Sequence, residues 1–323
     1  MKTLSEIQLI LAREIEKIKL SQEPQGLYAP IKYTLAQGGK RIRPALTLLA
    51  CNLFSDDIQK SISPALGLEI FHNFTLLHDD IMDKANVRRG QPTVHKKWDE
   101  NTAILSGDVM QILAYQHIAN VPEKDLSRVL KAFSQMAIEI CEGQQYDMEF
   151  ESRENVQTEE YLNMIRLKTA VLLGTALKIG AWIGGGNDDD AQLLYDFGIN
   201  IGLAFQLKDD LLDVYGDEKT FGKKIGGDIL CNKKTYLLIH ANDLARGKDA
   251  EELTAWLEII EPSTEKINAV TKLYNRLGVK KICEEKMNFY YEQAVAKLEK
   301  VSVPADKKHE LRNLAKKLMA RNE

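Results

Sequence analysis

Residues 65–83 read ALGLEIFHNFTLLHDDIMD, and residues 197–213 read FGINIGLAFQLKDDLLD. In each, an apolar stretch runs straight into a D-D-x-x-D cluster. Ala65 to Leu77 and Phe197 to Leu207 are apolar on most faces of a helix, so they belong in the middle of a bundle. Each carries a phenylalanine, Phe74 or Phe205, and the two stretches are the nearest thing in the chain to an internal repeat.

Helical periodicity continues on both sides, with little β-branched alternation and no Asn-Gly hairpin signal. Breaks fall at Pro24, Pro30, Gly38-Gly39, Pro64, Gly90 to Pro92, Pro122, Gly184 to Gly186, Gly216, Gly222, Gly226-Gly227, Pro262 and Pro304. The segments between them are of helix length or longer. No Ser/Gly-rich linker divides the chain. The expected fold is all-α: residues 1–323 as a single large helical bundle of about ten or more helices.

Composition agrees. The 323 residues are 44% apolar and 28% charged, as in a soluble globular protein. A net charge of −4 recruits neither nucleic acid nor an anionic membrane, so any anion site must be local. Cys51, Cys141, Cys231 and Cys283 form no C-x-x-C pair and read as buried free thiols in a reducing compartment. Met1 to Lys19 mixes Leu and Ile with Glu, Arg and Lys, the pattern of an amphipathic helix and not of a signal peptide. The longest apolar stretch, Thr169 to Trp182, is broken by Lys178 and is shorter than the ~20 residues of a membrane span. The expectation is a cytoplasmic protein with no nucleic-acid partner and no stable membrane insertion.

On a helix, residues four apart share a face, which pairs Asp79 with Asp83 and Asp209 with Asp213. Like charges at that spacing repel, and more strongly at the end of an apolar helix, where screening is weak. A cation relieves the repulsion. Carboxylate oxygens without nearby His or Cys favour a hard ion, and Mg²⁺ takes one or two carboxylates and fills its octahedron with water and phosphate. A solvated helix end explains one such cluster well; it explains two poorly.

Cations flank the acids. Gly38-Gly39-Lys40-Arg41-Ile42-Arg43-Pro44 sets three positive side chains beside a flexible turn, as a phosphate site requires or as a solvated helix-start loop has by default. Arg88-Arg89-Gly90 either grips a diphosphate or neutralises Asp79 to Asp83 directly. Lys168, beside Thr169 in the helix Tyr161 to Ile179, either snorkels or points at an anion. Lys223 and Lys233 lie in the glycine-rich loop after the second cluster. Alternating carboxylates, cations and apolar helices suit a substrate with a phosphate head and a hydrophobic tail.

At these residues the sequence resembles the trans-isoprenyl diphosphate synthases, also called polyprenyl synthetases. The matching motifs are GGKRIRP (38–44), HDDIMD (78–83), RRG (88–90), Lys168-Thr169, FQLKDDLLD (205–213), and the Gly222-Lys223 and Asn232-Lys233 loop. The resemblance implies an all-α homodimer with the active site in a central cavity, condensing isopentenyl diphosphate with an allylic diphosphate. It implies that Asp79 and Asp83 ligate two Mg²⁺ ions and Asp209 a third. Asp80, Asp210 and Asp213 act behind them or through water. Arg88, Lys168 and Lys223 correspond to the cations on the allylic diphosphate. Lys40, Arg43, His72 and Arg89 correspond to the isopentenyl diphosphate pocket, where His72 has core packing as its alternative. Thr169 and Gln206 face the reacting carbons, and Lys233 guards the mouth. No side chain is an obvious base; in the family the released diphosphate has that role.

A growing chain must run away from the metals, along the helix that precedes Asp79. Phe74 is five residues back, about 7.5 Å, and Phe71 eight back, about 12 Å. An aromatic five positions before the first aspartate resembles the floor of short-chain enzymes. Thr75, where a second aromatic is common, and an uninterrupted D-D-x-x-D leave C15 and C20 products both open. Plain core packing is the alternative for both phenylalanines. Three rivals fit less well. A terpene cyclase on this fold usually has an Asn/Ser/Glu motif in place of the second D-D-x-x-D. A non-catalytic partner subunit tends to lose one cluster. A ferritin-type site needs two E-x-x-H motifs, and only Glu69 to His72 supplies one.

Overall fold

The computed structural model describes residues 1–217, 225–259 and 261–320. It is all-α apart from one two-residue ladder. The described residues form two compact units, each assembled from separated stretches of chain.

The first unit comprises Met1–Gln135, Thr175–Tyr195 and Ser302–Leu311. Its helices are α1 (Leu4–Glu16), α2 (Gln25–Ala36), α3 (Ile42–Phe54), α4 (Ile62–Met82), the short α5 (Val94–Lys97) and α6 (Glu100–Ala119). Thr3 and Glu6 form a capping box at the start of α1, the amphipathic helix expected there. Pro30 lies inside α2 rather than between helices. The missing N–H costs one helical bond, and the flanking Ile31, Thr34 and Leu35 hold the segment by burial. The α4 helix packs most extensively against α6. That approach requires Gly67, where an added Cβ would meet the Ala114 carbonyl oxygen at 2.9 Å.

The second unit comprises Met136–Gly174, Asp196–Val301 and Arg312–Glu323. Its core gathers Phe150, Tyr161, Met164, Leu207, Leu211, Tyr236, Leu237, Leu273 and Cys283. The long helices α7 (Glu123–Ser152) and α10 (Asp188–Tyr215) each have residues in both units. Between α8 (Thr158–Ile165) and α9 (Val171–Gly184) the expected single helix contains a π turn, Arg166–Ala170, in which the Val171 N–H bonds back to the Arg166 carbonyl. The run Thr158–Gly184 is long and apolar enough to cross a membrane, but 83% of its apolar window is buried, as in a core helix. All four thiols are free, as expected; Cys51 and Cys283 are buried, whereas Cys141 and Cys231 are exposed, against the expectation that all would be buried.

Candidate active site

Asp79 lies in the last turn of α4 and Asp83 is its C-cap, with the Asp83 N–H bonded to the Asp79 carbonyl at 2.8 Å. Both carboxylates therefore sit at the negative end of the helix dipole, where a further negative charge is unfavourable and a cation is favoured. Asp80 points differently. It is buried and pairs with Arg88, whose Nε and Nη2 lie 2.8 and 2.7 Å from Asp80 Oδ1. Burial raises the Asp80 carboxyl above its usual value, and Arg88 opposes that rise. Arg88 thus pairs with an acid of the cluster, specifically Asp80, while Arg89 donates to the Gly38 carbonyl.

Arg88 and Arg89 stand on a hairpin that the sequence reading did not foresee. Val87–Arg88 and Gln91–Pro92 pair antiparallel. Arg89 and Gly90 between them have φ of 52° and 74°, the paired positive values of a tight two-residue turn that matches strand twist. The loop before α3 is also left-handed at Gly38, Gly39 and Arg41. The Arg89 guanidinium lies 3.2 Å from where a Gly39 Cβ would stand, and the φ of 135° at Gly39 is one that glycine adopts without strain. His72 is half-buried on α4. Burial and then the charges of Arg43, Arg89, Arg88 and Arg41 push its imidazole well below the ordinary histidine range. The same charges mark out a basic cluster around a ring that is neutral at pH 7.

Behind Asp79, the Phe74 ring contacts His78 at 4.8 Å and Phe71 at 5.4 Å. Phe71 continues to Phe133 at 5.2 Å, and Phe133 to Tyr115 at 4.8 Å. Phe71 and Phe133 are fully buried and Phe74 nearly so. Thr75 is half-buried and returns its hydroxyl to the His72 carbonyl at 2.8 Å.

In the second unit a cavity of about 140 Å³ is lined by Asp147, Lys168, Thr169, Gln206, Asp209, Asp210, Asp213, Asp228 and Lys233, among others. Thr169 Oγ1 and Gln206 Oε1 are 3.4 Å apart. Lys168 and Thr169 lie in the π turn, and Gly143 on α7 approaches it so closely that a Cβ there would be 2.3 Å from the Lys168 nitrogen. Asp147, one turn after Gly143, takes Lys168 Nζ at 2.5 Å and Lys233 Nζ at 3.7 Å. Burial raises the Asp147 carboxyl, but the charges of Lys233 and Lys168 together outweigh it and leave the group below its usual value.

The three aspartates of the second cluster diverge. Asp210 is buried and accepts from the Tyr161 hydroxyl and, at 3.4 Å, from the Tyr236 N–H. Burial and then the charge of Asp228 push it up to about 8. Asp213 is buried too, and its Oδ2 accepts the Asp228 N–H at 3.0 Å, which ties α10 to the glycine-rich loop that follows. Asp209 is half-buried and lines the cavity. Among the described residues no cluster of three His, Cys, Asp or Glu side chains could hold a metal by itself. Pairs of carboxylates at helix C-termini do suit an ion that completes its shell with water and phosphate.

Residues 24–277 match the family described as polyprenyl synthetase. The chain belongs to that family. It is 42% identical over 234 residues, 72% of this chain and 73% of the relative, to the geranylgeranyl pyrophosphate synthase of Geoglobus acetivorans. To the geranylfarnesyl diphosphate synthase of Natronomonas pharaonis it is 38% identical over 275 residues, 80% and 79% of the two chains. A solved geranylgeranyl pyrophosphate synthase structure matches with a TM-score of 0.95 at 43% identity, over 100% of both chains. The all-α fold and the family resemblance are thus borne out.

Within this polyprenyl synthetase the structure brings Arg41, Arg43, His72, Arg88 and Arg89 into one cluster, and Lys168, Thr169, Gln206, Asp209, Asp210, Asp213 and Lys233 around one cavity. Lys40 stands in the loop between Gly39 and Arg41, with its carbonyl accepting from Gln8 at 2.7 Å. Lys223 lies outside the described residues. The sequence reading missed Asp147, Tyr161 and Asp228. Asp147 had a signal, an acid four residues after Gly143 and hence on the face of its helix that makes a close approach. Tyr161 had none, because nothing local to it says that its hydroxyl meets an aspartate 49 residues away.

Proposed function

We propose that this polyprenyl synthetase condenses isopentenyl diphosphate head-to-tail with an allylic diphosphate, giving a trans-prenyl diphosphate of C15 to C20. The observation that carries the reading is that both apolar helices with a D-D-x-x-D motif end in carboxylates, Asp79 with Asp83 on α4 and Asp209 in a cavity that Lys168 also lines. In this reading Asp79, Asp83 and Asp209 hold three Mg²⁺ ions, which supply positive charge against the leaving diphosphate. Arg88, Lys168 and Lys223 bind the allylic head, and Lys40, Arg43, His72 and Arg89 the isopentenyl head. Neutral His72 adds a polar partner without adding charge. Thr169 and Gln206 orient the reacting carbons, Asp80, Asp210 and Asp213 hold the loops and motifs that carry the ligands, and Lys233 guards the mouth. The allylic C–O bond breaks to a delocalised cation and diphosphate, the isopentenyl double bond attacks that cation, and the released diphosphate takes the proton lost as the new double bond forms. Apolar walls keep water from quenching the cation.

The test is incubation of the purified chain with labelled isopentenyl diphosphate and dimethylallyl, geranyl or farnesyl diphosphate. EDTA should abolish elongation and Mg²⁺ restore it. Hydrocarbon formed from farnesyl diphosphate alone would identify a cyclase, and no product from any starter a non-catalytic subunit. The division of head groups has its own check. Lys40→Ala and Arg43→Ala should raise KM for isopentenyl diphosphate about tenfold, the loss of one charge-assisted hydrogen bond, and Lys168→Ala should act on the allylic KM instead. Equal effects on both substrates would reject the division.

We read the whole chain as one catalytic domain, because the two units interleave along the sequence and neither is a contiguous segment. The free thiols, two of them exposed, suit a reducing compartment, and we assign the enzyme to the cytoplasm; cell fractionation that put the chain with secreted proteins would refute this. A homodimer is supported by α6, which buries one face on α4 while exposing Ile104, Leu105 and Ile112 on another, the last two 59% and 60% exposed. Two turns of open apolar helix mark an association surface. Leu105→Glu with Ile112→Glu should convert a dimer to a monomer in analytical ultracentrifugation, and a variant still dimeric would exclude this surface.

A further inference from the structure

Glu69 and His72 form the E-x-x-H of α4, and the glutamate pairs with an arginine. Glu69 is 3% exposed in the first unit. Its carboxylate pairs with the Arg41 guanidinium, itself only 11% exposed, and accepts Asn73 Nδ2 at 3.0 Å. Arg41 also donates to the Leu35 carbonyl at 2.7 Å. Arg41 is a non-glycine residue with φ of 50°, the N-cap of α3, between Lys40 in the loop and Arg43 in the first turn. Such a conformation persists only where the surroundings over-determine it, and here the surroundings are a carboxylate, a carbonyl and two glycines. A buried ion pair is a poor source of net stability, since desolvation offsets the attraction. It is a good source of geometry, because a planar guanidinium fixed by acceptors on two helices has little freedom.

We propose that Glu69 is a positioning residue for the isopentenyl diphosphate site: through Arg41 it clamps the loop 38–41 at the start of α3 and sets where Lys40 and Arg43 meet the diphosphate. The inference rests on the reading that this loop holds that head group. The same helix that ends in Asp79 therefore also fixes the cationic loop, ten residues earlier and about 15 Å along its axis. Glu69 touches neither substrate.

Glu69→Gln should raise KM for isopentenyl diphosphate about tenfold, with kcat at saturation and the allylic KM changed less than about twofold. That variant leaves a buried guanidinium without its charge partner and can lose stability for that reason alone. A second variant, Arg41→Met with Glu69→Leu, removes both charges at similar volume, so the fold should persist by circular dichroism while the isopentenyl KM stays raised. Calorimetric binding of isopentenyl diphosphate to each folded variant should weaken in parallel, without turnover. An unchanged isopentenyl KM in the folded double variant, or an equal rise for both substrates, would overturn the clamp. If Lys40→Ala and Arg43→Ala also leave the isopentenyl KM unchanged, the loop is not that pocket and the underlying reading fails. If those two raise it and the Glu69 variants do not, the clamp alone fails.

Discussion

Asp79→Ala, Asp83→Ala and Asp209→Ala should each lower kcat by about 10²-fold or more, with the fold retained. The magnitude is that of removing one preorganised electrostatic contact to charge that develops in the transition state. Two features of the structure support so large a loss. Asp79 and Asp83 sit at the negative end of α4, so their pairing without a cation is unfavourable on helix-dipole grounds as well as by mutual repulsion. Asp209 lines the cavity of the second unit together with Lys168, which the proposed reading puts on the allylic head. An alanine at Asp79, Asp83 or Asp209 should also weaken Mn²⁺ binding in the presence of diphosphate, measured by electron paramagnetic resonance without turnover. Turnover near that of the unmodified enzyme in Asp79→Ala would refute the assignment of that residue.

Phe74→Ala should lengthen the product beyond that of the parent enzyme, and Phe71→Ala should lengthen it again in a chain already opened at Phe74. The two rings touch, and Phe71 stands three residues deeper on α4. That step is about 4.5 Å along the helix, close to one isoprene unit. Phe71 is backed in turn by Phe133 and Tyr115, so removing Phe71 exposes another ring, not open space. The gain should therefore be limited to about one unit per ring removed. Each truncation of a buried phenylalanine costs about 3–5 kcal/mol, so circular dichroism must accompany the product analysis. A double variant that folds and still makes the parent product would mean that the floor lies elsewhere. Relatives at 42% and 38% identity over the aligned residues carry geranylgeranyl and geranylfarnesyl names respectively.

The bundle was legible because burial imposes a pattern. Ala65 to Leu77 has almost no polar face, and a helix of that kind has to be surrounded by others. The motifs were legible because they are local: an i,i+4 pair of aspartates or a Gly-Gly-Lys run is written in consecutive residues. What was not legible depends on distant contacts. Asp147 gains its meaning only from Lys168 and Lys233, 21 and 86 residues away in the chain, which it holds together. Arg88 was readable as a cation beside the cluster, and only the fold shows that it pairs with Asp80. The Arg89-Gly90 turn lacks the usual asparagine, so its hairpin escaped a search for common turn dipeptides. Pro30 misled in the other direction, because packing of its neighbours outweighs the one hydrogen bond that it removes.

The π turn at Arg166–Ala170 amounts to one surplus residue in an otherwise regular helix. One residue is about 100° of rotation. Lys168 and Thr169 therefore face a direction that the preceding α-helical phase would have assigned to other side chains, and the residues just after the turn resume on a rotated face. The length of this segment is thus a hidden coordinate of the chemistry. A shortening by one residue would keep every amino acid of the Lys-Thr motif and every turn of helix, yet would swing the lysine away from Asp147. Substitutions in this segment preserve phase; insertions and deletions do not. Natural variation here should be rich in the first and poor in the second.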